Sequence, residues 1–183
     1  NYIEVWIEKD ALSSLFERVC DKYMVPVMVC RGFSSVSVIR DFVRRTDKRR
    51  KSGQDIIMLY FGDFDPSGME MLESMKMTIE EEFELLGINY QRVALSKNDI
   101  HQYNLPHKPD QLKEKDTRAK KFIREYGRYA VELDALGPDV LSSKVKDAIE
   151  EKLDMETFEK QFEIYQKELD ELKEIREKVF SNI

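Results

Sequence analysis

Cysteine is scarce in this chain: Cys20 and Cys30 are the two present, both among apolar neighbours. That excludes a disulfide framework, and the pair reads as reduced core residues of a cytoplasmic protein. No Cys/His group has the spacing of zinc ligands. No apolar run approaches the length that spans a bilayer, and no signal-peptide pattern opens the chain. Internal repeats and low-complexity tracts are also missing. Positive charge is not in excess either. The net charge of -6 excludes a uniformly basic nucleic-acid coat while leaving room for a local basic groove. What the chain does have is 183 residues, 42% hydrophobic and 36% charged, enough for one good core under a heavily charged surface.

The most informative stretch runs from Ile56 to Gly68. Ile56-Ile57-Met58-Leu59-Tyr60-Phe61 is uncharged and bounded by polar residues, which predicts a buried strand of a parallel sheet. Gly62-Asp63-Phe64-Asp65-Pro66-Ser67-Gly68 follows, and apolar residues from Met69 to Leu86 then recur at helical spacing. The order is strand, acidic turn, helix. In open parallel sheets, ligands sit beyond the carboxyl ends of the strands. Two carboxylates at an i, i+2 spacing in extended backbone point the same way and repel each other, so one protonates or a cation sits between them. A hard divalent ion suits such an oxygen-only set. Turn chemistry accounts for part of the same motif, with Asp65 or Ser67 capping the helix.

The other elements follow in order. Ile3 to Ile7 alternates and is β-rich, giving a first strand that ends at Glu8-Lys9-Asp10. Because this strand opens the chain almost directly, a further segment is expected ahead of Asn1. Ala11 to Tyr23 is an amphipathic helix and Val25 to Cys30 a second strand, with Pro26 tolerated near its start. Arg31 to Ser35 turns into a helix from Val36 to Arg45, and Ile88 to Leu95 is the fourth strand. This alternation specifies an α/β fold, a Rossmann-like, four-stranded, largely parallel sheet flanked by helices. Past Leu95 the pattern turns helical: a short polar helix from Ser96, a loop from Tyr103 to Pro109, and helices over Asp116–Tyr126 and Asp139–Leu153. Met155, Phe158, Phe162, Tyr165, Leu169, Leu172, Ile175 and Val179 mark a long last helix with a coiled-coil-like stripe. That stripe is either a homodimer seam or a face packed on the chain's own domain. The expected division is residues 1–153 and 154–183.

In a parallel sheet Glu8, Asp63 and Asp65 fall on one edge, and a shared divalent ion resolves their repulsion. Glu8, then Arg31-Gly32, then Asp63-Phe64-Asp65 resembles the Toprim domain. Gly62 to Gly68 is most similar to that domain in the A subunit of type IIB topoisomerase (topoisomerase VI) and its meiotic double-strand-break relatives. Leu95 to Ile100, Tyr103-Asn104-Leu105-Pro106 and Val131 to Leu136 resemble later segments of the same family. The resemblance covers Ile3 to Leu153. It implies Mg2+, with Mn2+ as a substitute, held by Glu8, Asp63 and Asp65 as metal-binding and catalytic residues, with Glu8 either a ligand or a general acid/base. It implies DNA as partner and a second subunit that supplies ATPase activity. In that family the DNA-cleaving tyrosine lies on a winged-helix domain ahead of the Toprim domain, so no tyrosine of this chain takes that role. Other readings of the same acids are a standalone Toprim-class nuclease, a non-catalytic DNA-binding or dimerisation module, and a haloacid-dehalogenase-type phosphatase with Asp63 as nucleophile. Pro66 and the early position of Glu8 depart from the last.

Candidate nucleic-acid contacts are Lys9, Arg31, Ser34, Arg44, Arg45, Arg49 and Arg50. Arg31 and Ser34 open a helix on the triad's edge, where phosphate contact and helix capping are alternatives. The run from Arg40 to Lys51 either tracks a DNA backbone or is a solvated helix end. Lys9 either neutralises a phosphate or is an exposed lysine. Glu132 and Asp134 either support the acidic site or belong to a strand or helix end.

Overall fold

The computed structural model describes residues 1–30, 36–107, 112 and 117–180. Four strands form one sheet: β1 (Tyr2–Ile7), β2 (Val27–Val29), β3 (Ile56–Phe61) and β4 (Ile88–Ala94). Their order is β2-β1-β3-β4 and every pairing is parallel. The α/β fold with a largely parallel four-stranded sheet expected from the alternation is therefore present, and the sheet is parallel throughout. β3 is fully buried along its length, as a strand covered on both faces must be. Residues alternate between the two faces. Trp6 meets Phe42 of α2 (Val36–Lys51) edge-on at 5.3 Å, whereas Phe61 meets Phe16 of α1 (Ser13–Cys20) at 4.9 Å. Met71 and Met75 of α3 (Pro66–Met77) complete the Trp6 and Phe42 side of the core.

Several boundaries differ from the sequence expectation. β2 shortens to Val27–Val29, flanked by a bond from the Val5 N–H to the Pro26 carbonyl and one from the Cys30 N–H to the Ile7 carbonyl. α2 runs six residues past Arg45 to Lys51, since charged residues prolong a helix as readily as apolar ones. α3 stops at Met77 and gives way to a π-helical turn over Thr78–Glu82. After β4 come α4 (Lys97–Gln102), α5 (Thr117–Tyr126) and α6 (Pro138–Lys152). Ser96 and Asp99 close a capping box on α4, and buried Asp99 also pairs with Lys144 of α6 at 2.6 Å.

The chain divides into two compact units, Asn1–Ile149 and a second from Glu150 onward. The second carries α7 (Met155–Phe180), a 26-residue helix with no buried residue. Among the described residues, no helix is long and apolar enough to cross a membrane.

Candidate active site

With β1 flanked by β2 on one side and β3 on the other, successive crossovers leave in opposite directions from the β1/β3 gap. Such a switch point opens a crevice at the carboxyl ends of the strands. Glu8 continues β1 there, its N–H donating to Phe61 O at 3.0 Å. Asp63 and Asp65 follow β3.

Each carboxylate has one oxygen anchored by a main-chain amide. Glu8 Oε2 accepts the Asp63 N–H at 2.9 Å, Asp63 Oδ1 accepts the Leu133 N–H at 2.7 Å, and Asp65 Oδ1 accepts the Gly68 N–H at 2.7 Å. The last bond makes Asp65 the N-cap of α3, with Pro66 in the first turn, so the capping reading of the motif holds. Gly68 is required by close approach, because a Cβ there would press on the Asp63 carbonyl and meet Glu8 Oε2. Among the described residues the second oxygens of these carboxylates take no hydrogen bond. Their donor type suits a hard divalent cation. As they stand, no group of three or more His, Cys, Asp or Glu among the described residues is arranged to hold a metal ion.

A cation already sits at this edge. Lys9 Nζ lies 2.8 Å from Glu132 Oε2, 3.0 Å from Asp134 Oδ2 and 3.9 Å from Asp63 Oδ1. Burial works against its charge, and the bonds to Glu132 and Asp134 outweigh it, so the ammonium titrates above its ordinary value. Lys9 is thus neither a solvated lysine nor a free phosphate donor. Glu132 and Asp134 reach it because Val131 bridges to Phe64 beside the acidic turn.

Two residues that pattern reading passed over organise the site. Arg92 of β4 donates to four carbonyl oxygens: Leu95 at 2.9 Å, Gly68 and Gly62 at 3.0 Å each, and Asp63. It thereby ties the β3 exit, the start of α3 and the β4 exit together. The available signal was a lone arginine inside an otherwise sheet-forming run. Tyr60 is buried in β3, and its hydroxyl lies 3.4 Å from Glu8 Oε2. Burial pushes this phenol far above its ordinary range, so it stays protonated and serves as a donor.

Glu8 and Asp63 both titrate above the ordinary carboxylate range. Burial is the main cause for each, and neighbouring carboxylates add to it: Asp63 and Asp65 for Glu8, Asp65 and Glu132 for Asp63. A raised acid binds more protons folded than unfolded between its two pKa values, so stability falls as pH rises through that window. Above both pKa values the penalty is fully present. In chelator, Glu8→Gln, which keeps the oxygen acceptor, is expected to raise Tm at about pH 7. The gain should shrink towards about pH 4.5, near the ordinary glutamate pKa. Melts at both values check this, and a gain that does not depend on pH would contradict it.

Of the predicted nucleic-acid residues Lys9 stands at this edge, whereas Arg44, Arg45, Arg49 and Arg50 do not gather here. Arg45 bonds Glu4 through Nε and Nη2, each at 3.1 Å, and the Arg49 guanidinium lies 4.2 Å over the Tyr2 ring. Both therefore sit at the amino end of β1. At ~3.3 Å per residue, that end is about 13–20 Å from Glu8. Arg44 and Arg50 are exposed on the same last turns of α2, with Arg50 3.7 Å from Asp47. Arg31 and Ser34 lie outside the described residues. What does stand near the site is a ring cluster. Tyr129, two residues before Val131, meets His107 at 5.1 Å and His101 at 5.9 Å, with Lys97 5.7 Å from its ring. No protein-family model matches the chain, and no curated protein matches it.

Proposed function

We propose that the chain is the Mg2+-binding, Toprim-type module of a DNA-processing protein, resembling the A subunit of type IIB topoisomerase. The observation that carries this reading is the convergence of Glu8, Asp63 and Asp65 at the β1/β3 switch point, where burial and mutual repulsion raise two of the three acids. Charge stored in this way favours a divalent cation or a bound proton. Bound Mg2+ or Mn2+ supplies positive charge that neutralises a phosphodiester and steadies the scissile or 3′ oxygen. Glu8 is the member suited to proton transfer, being raised and held in place by the Asp63 amide and the Tyr60 hydroxyl. Arg92 keeps the turn in register, and Tyr129 with Lys97 offers stacking and a cation two residues before the Val131–Phe64 bridge. The nucleophilic tyrosine is supplied from a separate domain. Tyr60, the hydroxyl bonded to Glu8, is fully buried and out of reach of a phosphate.

The test is thermal. At Mg2+ a hundredfold above Kd, binding contributes about 2.7 kcal/mol, or a Tm rise of roughly 5–10 °C. Asp63→Asn plus Asp65→Asn should abolish the rise while keeping both amide acceptors, since Asn caps helices as well as Asp does. An undiminished rise in the double variant removes the site. With supercoiled plasmid and Mg2+, no protein-linked DNA is expected after denaturation. Metal-dependent nicking without a covalent adduct would convert the reading to a Toprim-class nuclease that uses activated water.

A further inference from the structure

We propose that α7 pairs with α7 of a second copy of this chain as a parallel, in-register, two-stranded coiled coil. The helix holds 26 residues and buries none, and from Glu171 onward every described residue is exposed. Leu172, Ile175, Val179 and Phe180 are each more than half exposed, an apolar face around Arg176 that no other element covers among the described residues; the Arg176 guanidinium lies 6.0 Å from the Phe180 ring.

A seven-residue repeat accounts for that face. With Met155 at position a, the a positions are Met155, Phe162, Leu169 and Arg176. The d positions are Phe158, Tyr165, Leu172 and Val179. Seven of these eight are apolar, and the repeat lasts through the three to four heptads that mark a coiled coil. Strict seven-residue spacing drifts around a straight helix and is kept on a seam only by supercoiling about a partner.

The flanking positions identify the partner as a second copy. In a parallel pair, each g residue faces the e residue five places on in the other strand, and these contacts set partner choice and orientation. The three such pairs within α7 are Gln161 with Gln166, Glu168 with Lys173, and Ile175 with Phe180. They match amide to amide, acid to base and apolar to apolar, and symmetry repeats each one. Lys173 lies 2.8 Å from Asp170 within its own helix, an exposed contact that a cross-strand pair can share. The intrahelical pairs Lys160–Glu156 and Lys178–Glu174 occupy positions b, c and f, off the seam. Arg176 is the single charged residue at an a position. One polar residue there fixes register and oligomer number, and a long cationic side chain reaches water easily only from a two-stranded seam.

Sedimentation equilibrium of the full chain is expected to give a dimer. Leu172→Lys should weaken it at least about tenfold, with the melt of the sheet-bearing unit unchanged. Lys173→Glu should weaken it about fivefold, and adding Glu168→Lys in the same chain should restore it. Leu172→Cys should oxidise to a disulfide-linked dimer, because Cys20 and Cys30 are buried. A monomer, a larger oligomer, or cross-linking of Leu172→Cys only with Phe162→Cys on the partner, as in an antiparallel pair, would overturn the proposal.

Discussion

An Arg92→Met variant is expected to melt roughly 6–20 °C below the parent chain. Among the described contacts Arg92 alone satisfies the Asp63 and Leu95 carbonyls; it shares that of Gly62 with the Leu95 N–H and that of Gly68 with the helical bond of α3. Methionine fills much of the same space but donates nothing. Each carbonyl left without its charged donor costs about 1–3 kcal/mol, and solvent or relaxation recovers part of the sum. A net loss of about 3–5 kcal/mol corresponds to roughly 6–20 °C at 183 residues. The guanidinium also offsets charge on Glu8, Asp63 and Asp65, so its removal leaves three acids with less compensation. Burial lowers the Arg92 pKa, yet arginine remains charged across the accessible range. Arg92→Lys should recover little, because a single ammonium cannot reach four carbonyls that a planar fork spans. Differential scanning calorimetry decides the matter, and a methionine variant within about 2 °C of the parent would remove Arg92 from this role.

The second large effect lies at the opposite edge. Glu4 is fully buried and accepts from Arg45, from the Tyr2 hydroxyl at 2.7 Å and from Trp6 Nε1 at 3.1 Å. The Arg45 side chain, by contrast, keeps 37% of its exposure. Removing one partner of such a pair is therefore unequal. Arg45→Met strands a carboxylate in the core with two neutral donors and is expected to cost about 3–5 kcal/mol. Glu4→Gln leaves an arginine that can turn to water, and should cost about 1 kcal/mol. The double variant should regain most of the Arg45→Met loss, which a double-mutant cycle of urea midpoints would read as coupling. Additive losses would contradict a direct pair. This outcome also bears on DNA binding. A weak Arg45→Met binder must be shown to be folded before the residue is assigned to an interface, whereas exposed Arg44 and Arg50 carry no such ambiguity.

Much of this protein follows from order and spacing along the chain. The uncharged run Ile56–Phe61 can be stable only where both faces are covered, and it is the central, fully buried β3. Strand-helix alternation specified parallel pairing, and that pairing alone brings Glu8 to the same edge as Asp63. Pro66 and Gly68 marked the start of α3, and a seven-residue period marked α7. These features are local, so a window of the sequence contains their cause. The tertiary structure decided what depends on residues far apart. Whether Lys9 is solvated or enclosed rests on Glu132 and Asp134, more than 120 positions away. Whether Arg45 serves a surface or a core rests on Glu4, 41 positions earlier. Arg92 looks like any polar residue in a strand until the ends of β3, α3 and β4 are folded around it. A charged side chain takes its role from the partners left to it once water is excluded, and chain folding alone selects those partners.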